Sequence, residues 1–198
     1  MKFFSFVQFK RIPFFVWLLL ANAFLLISAP AIAPPDQIGR FQTALIVYML
    51  LTTAFMTLVP RQPWMRVNLN QAVVWFVGGF IATVILLTSI REIPHFFTSM
   101  QLTGPVFLTA FHAIVVATNE TWIFQGFLPI LVGPLISCAA FSIFHYAAYG
   151  GAWPALLTAF IAGLLFYFIA KYVNIWLAVS IHAGYNVVLL GIFALGGI

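Results

Sequence analysis

The sequence predicts an all-α fold, a bundle of about seven transmembrane helices, on the basis of its apolar composition, its few charges and its regularly spaced apolar runs. Hydrophobic residues make up 64% of the 198 residues, charged residues make up 6%, and the mean hydropathy is +1.13. A soluble domain is typically about one quarter charged and could not bury this much apolar surface. We therefore expect one integral membrane domain that spans residues 1–198, without a separate soluble domain.

Seven apolar runs, each bounded by charge, proline or glycine, have or approach the length of a membrane-spanning helix. Their approximate limits are 12–33, 41–60, 71–90, 104–130, 134–149, 153–171 and 174–197. At about 20 residues per span, six to eight spans fit in a chain of this length.

The first run has two interpretations. Lys10 and Arg11 precede an apolar stretch that ends in small residues near Ala31 and Ala33, as in a secretory signal peptide. Pro34 directly follows the cleavage point of that interpretation, and the run approaches spanning length, which favours a retained helix. A retained first helix gives an odd number of spans.

The basic residues predict an orientation. When the loops are counted on alternate sides of the spans, Arg40 and Arg91 fall on one side and six basic residues on the other. These six are Lys2, Lys10, Arg11, Arg61, Arg66 and Lys171. Because loops rich in lysine and arginine stay in the cytoplasm, this count predicts a cytoplasmic N-terminus. The expected location of this multi-pass protein is a prokaryotic cell membrane. The basic residues are scattered at span ends, so no nucleic-acid partner is expected.

Glu120 is the most informative residue of the sequence. Of the three acidic residues, Asp36 and Glu92 lie in predicted loops, whereas Glu120 lies inside an apolar run. A charged side chain at the centre of a bilayer costs about 2.5–3.5 kcal/mol on insertion scales, so a carboxylate there marks a candidate functional site. His145 and His182 also lie in apolar runs.

Helix geometry predicts that these side chains share one depth. If the fourth and fifth spans meet near Gly133, Glu120 and His145 both lie roughly 19 Å from that turn, at about 1.5 Å per residue. His182 would lie about 15 Å from the next turn on the same side. Asn186 follows His182 by four residues and therefore shares its helix face. We expect all four side chains to face the bundle interior at one level.

This set of side chains is typical of a hydrolase. A carboxylate and a neutral imidazole can deprotonate a water, while a second imidazole and a carboxamide can donate hydrogen bonds to an oxyanion. Alternatively, Glu120, His145 and His182 can bind a divalent metal such as zinc, which would activate the water. The sequence leaves both mechanisms open.

The same residues resemble the CAAX protease and bacteriocin-processing family of intramembrane endopeptidases. Its three motifs are Glu-Glu-x-x-x-Arg, Phe-x-x-x-His and His-x-x-x-Asn. Here they begin at Glu120, run from Phe141 to His145, and run from His182 to Asn186. The match covers roughly residues 105–190, which are therefore the expected catalytic core, and the helices within about 12–90 are expected to support it. The resemblance implies that Glu120 and His145 activate the attacking water and that His182 and Asn186 stabilise the oxyanion. It also implies a membrane-associated, prenylated or otherwise hydrophobic peptide as substrate.

The first motif departs from the family pattern at two positions. Thr121 stands in place of the second glutamate, and Gln125 stands in place of the arginine. A threonine and a glutamine can form a hydrogen bond with no charge to bury, so we expect this pair, together with Phe141, to support the site. Two other functions stay open. One is a membrane scaffold or regulator that has lost hydrolysis, and the other is a proton-coupled transporter, which the lack of an internal repeat disfavours.

Overall fold

A computed structural model describes residues 12–33, 35–66, 68–89, 104–146 and 148–194, and in these ranges the chain forms helices and no strand. The α-helices are α1 (Ile12–Ile32), α2 (Ile38–Leu58), α3 (Leu69–Ser89), α4 (Val106–Glu120), α5 (Leu128–Val132), α6 (Pro134–Phe144), α7 (Trp153–Tyr172) and α8 (Ile175–Ala194). A 3₁₀ turn (Pro63–Met65) precedes α3, and a π-helical segment (Thr121–Phe127) joins α4 to α5. The predicted all-α class is confirmed for the described residues.

Among the described residues, five helices are apolar and long enough to cross a membrane. They are Pro13–Ile32, Ile38–Leu58, Leu69–Ser89, Val106–Val132 and Trp153–Tyr172. Two shorter apolar helices are Pro134–Phe144 and Ile175–Leu189. The five long helices fit a helical membrane bundle. The predicted span 134–149 is shorter as a helix, because α6 ends at Phe144 and the chain then turns through Gly150 and Gly151, both with positive φ.

The structure describes part of the charge pattern that predicted the orientation. Lys2, Lys10, Arg11 and Arg91 lie outside the described residues. Arg61 and Arg66 lie in the connection between α2 and α3, whereas Arg40 lies in the first turn of α2. The length of α2, about 30 Å at 1.5 Å per residue, separates Arg40 from the other two.

The central element is one continuous helix made of α4, the π-helical segment and α5. Every residue from Ala117 to Phe127 is buried. This helix contacts α1, α2, α6, α7 and α8. Trp122 and Phe127 pack in the main hydrophobic cluster with residues such as Phe166 of α7. A helix that is buried on all sides is typical of the interior of a bundle, so a polar residue in this helix must find its partners within the protein.

Pro129 explains how α6 is held against the central helix. In the π-helical segment the N–H of Leu128 donates to the carbonyl of Ile123, five residues earlier. By the same pattern the Phe124 carbonyl would accept from residue 129, but proline has no N–H. The Ser137 hydroxyl of α6 donates to the Phe124 carbonyl instead. This hydrogen bond fastens α6 to the central helix.

Two glycines allow α6 to approach its neighbours. Gly133, with a φ of 82°, forms the turn between α5 and α6 in a backbone conformation that favours glycine. Gly163 of α7 lies against Phe141, and a Cβ at this position would stand 3.0 Å from Phe141 Cδ1. The chain therefore folds back along the central helix, and α6 packs closely on α7.

Candidate active site

The candidate site surrounds Glu120, at the point where the central helix becomes π-helical. Helices α2, α6 and α8 each direct one side chain toward its carboxylate. Tyr48 Oη of α2 donates a hydrogen bond of 2.6 Å to Glu120 Oε1. Glu120 Oε2 lies 3.6 Å from His145 Nε2 and 3.4 Å from His182 Nε2. The structure therefore brings together three of the four residues that the sequence predicted as one group.

The two carboxylate oxygens of Glu120 have different surroundings. Oε1 accepts the short hydrogen bond from Tyr48. Neither imidazole contact to Oε2 has the geometry of a hydrogen bond, and Oε2 has no hydrogen-bond partner among the described residues. A buried polar atom of this kind is expected to have a partner, because burial without one costs free energy. Oε2 therefore has capacity to bind a water or a substrate group.

His145 is held in a defined orientation at the C-terminal end of α6. Its Nδ1 lies 2.8 Å from the Phe141 carbonyl oxygen. Because a carbonyl can only accept, Nδ1 carries the hydrogen, and a neutral His145 has its lone pair on Nε2. The rings of Phe141 and Tyr149 contact the imidazole, with centroid distances of 4.6 and 5.3 Å. The side chain is 12% exposed, against 4% for Glu120, so His145 is the more accessible of the two.

His182 is held by Thr121 and by two aromatic rings. Its Nδ1 lies 3.1 Å from Thr121 Oγ1. Donation by the threonine hydroxyl places the hydrogen of a neutral His182 on Nε2. Phe166 stacks on the imidazole at 5.0 Å, and the edge of Phe141 approaches it at 5.8 Å. In that tautomer, the two histidines present unlike atoms to the same carboxylate oxygen, a lone pair from His145 and an N–H from His182.

Two of the predicted residues do not join this group. Asn186 lies one turn beyond His182 on α8, is partly exposed, and has no hydrogen bond to the described side chains of the site. Gln125 is fully buried, but its side-chain oxygen and nitrogen have no hydrogen-bond partner in the described part of the chain. The expected hydrogen bond between Thr121 and Gln125 is therefore wrong, because Thr121 pairs with His182. Nothing in the described structure explains the buried amide of Gln125.

Tyr48 is the residue that sequence reasoning missed. It lies 72 residues before Glu120, in an apolar run where a tyrosine carries no motif. A usable signal was nevertheless present. Tyr48 lies ten residues before the end of α2 at Leu58, which places it about 15 Å from that end. This is the level predicted for the Glu120 group, so the same depth calculation applied to tyrosines would have included it.

The donor atoms can also be compared with those of a zinc site. Two ligand atoms that each lie about 2.0–2.1 Å from a tetrahedral zinc ion are about 3.3 Å from each other. The distances from Glu120 Oε2 to the Nε2 atoms of His145 and His182, 3.6 and 3.4 Å, are close to this value. Among the described residues, however, no group of three or more His, Cys, Asp or Glu side chains is arranged to hold a metal ion. A chelation experiment tests the metal alternative.

Comparison with known proteins finds no significant match to any protein-family model, curated protein or solved structure. The resemblance to the CAAX protease and bacteriocin-processing family therefore rests on the three short motifs.

Proposed function

We propose that this protein is an intramembrane endopeptidase that hydrolyses a peptide bond of a membrane-associated, prenylated or otherwise hydrophobic substrate. One observation carries the proposal. Two imidazoles from separate helices direct Nε2 at the same oxygen of one buried carboxylate. A structural ion pair of this kind would be expected to have full hydrogen-bond geometry, because burying incompletely paired charges is costly. A chemical role accounts for that cost.

In this proposal Glu120 and His145 activate the attacking water. A water about 2.8 Å from both Oε2 and His145 Nε2 would form a triangle with them. As the water oxygen bonds to the substrate carbonyl carbon, the Glu120 and His145 pair accepts a proton from the water. When the C–N bond breaks, the same proton passes to the leaving amine. Protons and electrons therefore balance, and the pair returns to its starting state.

His182 and Asn186 stabilise the oxyanion that forms on the carbonyl oxygen. This role requires the tautomer in which His182 Nδ1 accepts from the Thr121 hydroxyl, because a neutral His182 then has its N–H at Nε2. Asn186 adds two amide N–H donors on the same helix face, and its partial exposure leaves it accessible to a substrate. Donors of this kind typically contribute about 10²–10³-fold to the rate.

We place the entrance for water and peptide at the C-terminal end of α6. With 11 residues, α6 is about 16 Å long, roughly half of a hydrocarbon core of about 30 Å. The chain after Phe144 is therefore irregular at membrane depth, which is tolerated where backbone lines a water-filled cavity. His145 lies at this point and is partly accessible.

The proposal includes seven spans in a multi-pass protein of a prokaryotic cell membrane, with the N-terminus in the cytoplasm. Five spans are the long apolar helices, and α6 with its following connection and α8 supply the other two. The six-to-two distribution of basic residues supports the orientation.

The proposal is tested by cleavage of a peptide library with purified protein. The site variants are Glu120→Ala and His145→Ala, and His112→Ala is the matched control. His112 is another buried histidine, but it packs edge-on against Phe41, at a centroid distance of 4.9 Å. We expect each site variant to lose about 10²–10⁴-fold in rate and the control to retain cleavage. Cleavage that persists in both site variants would contradict the assigned site.

The same protein preparation separates the alternatives. Loss of cleavage on chelation, with recovery on addition of zinc, would replace the Glu120 and His145 mechanism by a metal-dependent one. Failure to cleave any peptide, with a partner protein co-purifying, would favour the scaffold. Uptake of solute into proteoliposomes that depends on a proton gradient and on Glu120 would favour the transporter.

A further inference from the structure

A large cavity lies on the face of α4 that points away from the candidate active site. Its volume is about 1310 Å³, and α1, α3, α4 and the start of α8 line it. From α4 it is lined by Ile114 and Thr118. Thr118 precedes Glu120 by two residues, which places it about 200° away around the helix. The cavity is therefore separate from the Glu120 group.

One face of α3 forms an apolar wall of this cavity. The α3 residues that line it recur every three or four positions, as expected for a single helix face. They are Leu69, Ala72, Val73, Phe76 and Val77. From Leu69 to Val77 the wall runs about 12 Å along the helix axis. Val73 and Val77 are 52% and 48% exposed, so this wall has apolar surface that is available to a ligand.

The other end of the cavity is polar and positively charged. Arg61, Arg66 and Asn68, from the connection between α2 and α3, line this end. The Arg61 guanidinium lies 5.8 Å from the centre of the Trp122 ring, a cation–π contact that holds it against the central helix. Arg66 is exposed, and no described acidic side chain lines the cavity. The cavity thus joins a cationic end to an apolar wall.

We propose that this cavity binds one anionic phospholipid from the leaflet that meets the connection between α2 and α3. The phosphate accepts hydrogen bonds from the two guanidinium groups, and the acyl chains lie along α3. A soluble anion would match only the polar end, and a zwitterionic lipid would make less use of the positive charge. The binding is independent of peptide hydrolysis, so failure of either proposal leaves the other standing.

The charge requirement is tested by native mass spectrometry titrations of the full-length protein in detergent. The probes are short-chain phosphatidylglycerol, the matching phosphatidylcholine, and glycerol phosphate as the soluble headgroup. We expect one phosphatidylglycerol to bind more tightly than either other probe. Arg66→Gln should weaken that binding about fivefold, and Arg61→Gln with Arg66→Gln about thirtyfold, from the usual contribution of a basic side chain near a headgroup. Arg40→Gln, at the opposite end of α2, should bind as wild type.

The apolar requirement is tested with two neighbouring valines of α3. Val73 lines the cavity, whereas Val74, which is 69% exposed, does not. Val73→Trp fills part of the cavity beside α3 without changing any charge and should abolish lipid binding. Val74→Trp should leave lipid binding unchanged. Any of four results would overturn the proposal. The two lipids could bind with equal affinity, or glycerol phosphate could bind as tightly as the lipid. Arg40→Gln could weaken binding as much as Arg66→Gln, or Val73→Trp could bind the lipid as wild type does.

Discussion

Asn119 and Glu120 are adjacent and buried on the central helix, but their polar atoms have different surroundings. Asn119 Nδ2 donates to the Val115 carbonyl at 3.0 Å and to Asn22 Oδ1 at 3.4 Å, and Asn119 Oδ1 accepts from Thr52 Oγ1 at 3.3 Å. Glu120 has one hydrogen-bonded oxygen and one without a partner among the described residues. A satisfied polar network holds helices together, whereas unused hydrogen-bonding capacity is available to a ligand.

The largest effect is expected from Glu120→Gln, which keeps the size of the side chain and removes its charge. Cleavage should fall by about 10²–10⁴-fold, because the carboxylate no longer accepts a proton. The unfolding temperature should stay the same or rise, since an incompletely paired buried charge costs stability. Activity and thermal unfolding are measured in the same detergent. A clear fall in the unfolding temperature would mean that Glu120 holds the bundle together as Asn119 does.

A smaller effect is expected from Tyr48→Phe, which removes the 2.6 Å hydrogen bond to Glu120 Oε1 and keeps the ring beside Phe144. We expect kcat to fall about tenfold or more, from the 1.5–3 kcal/mol typical of a hydrogen bond to a charged group. KM should not change, because Tyr48 is buried and positions Glu120 without touching substrate. Tyr172→Phe, at a tyrosine that is 71% exposed at the end of α7, is the control. A raised KM, or an equal loss in the control, would argue against this role.

A still smaller effect is expected from Thr121→Val, which removes the hydroxyl next to His182 Nδ1. The loss of one neutral hydrogen bond, about 0.5–1.5 kcal/mol, should lower kcat by roughly two- to thirteenfold. Thr121→Ser keeps the hydroxyl and should restore most of the rate. Nitrogen NMR shifts of His182 should show a change of tautomer in the valine variant alone. If kcat falls as much in Thr121→Ser as in Thr121→Val, Thr121 acts through packing of its methyl group and not through its hydroxyl.

Much of the site could be predicted from the sequence with two quantities, the free-energy cost of a charge in the bilayer and the rise per residue of a helix. The bilayer cost of a charge selected Glu120, and the helix rise placed His145 and His182 at its level. In the structure both imidazoles lie within 3.6 Å of its carboxylate. The all-α class followed from the apolar composition. The end of α6 was predicted too late. The predicted limit at 149 was set by Gly150 and Gly151, whereas the helix already ends at Phe144, inside an apolar run that carries no local signal for its end.

Tertiary contacts account for what the sequence could not predict. The depth of Tyr48 could be calculated from the sequence, but its contact with Glu120 depends on the packing of α2 beside the central helix, which no local pattern specifies. The π-helical segment depends on the next helix as well, since the Ser137 hydroxyl supplies the donor that Pro129 cannot give to the Phe124 carbonyl. Wide turns of this kind are frequently found at functional sites, and this one begins directly after Glu120.

The smallest effect on activity is expected from Asn119→Leu, although it removes three hydrogen bonds. The free energy of unfolding should fall by about 1–3 kcal/mol, because Asn22 and Thr52 lose their buried partner. Cleavage per folded molecule should stay unchanged. Thr118→Val is the matched control. Among the described residues the Thr118 hydroxyl bonds within its own helix, to the Ile114 carbonyl at 2.7 Å, so its loss should cost less stability.

The readouts for Asn119→Leu are denaturant unfolding and kcat/KM corrected for the folded fraction. Side chains one residue apart on a helix point about 100° away from each other, so Asn119 faces α1 and α2 while Glu120 also reaches α6 and α8. Stability and activity should therefore respond separately at these adjacent positions. A loss of activity as large as that of Glu120→Gln would show that the two residues act as one network, and the distinction between a satisfied and an unsatisfied polar group would fail.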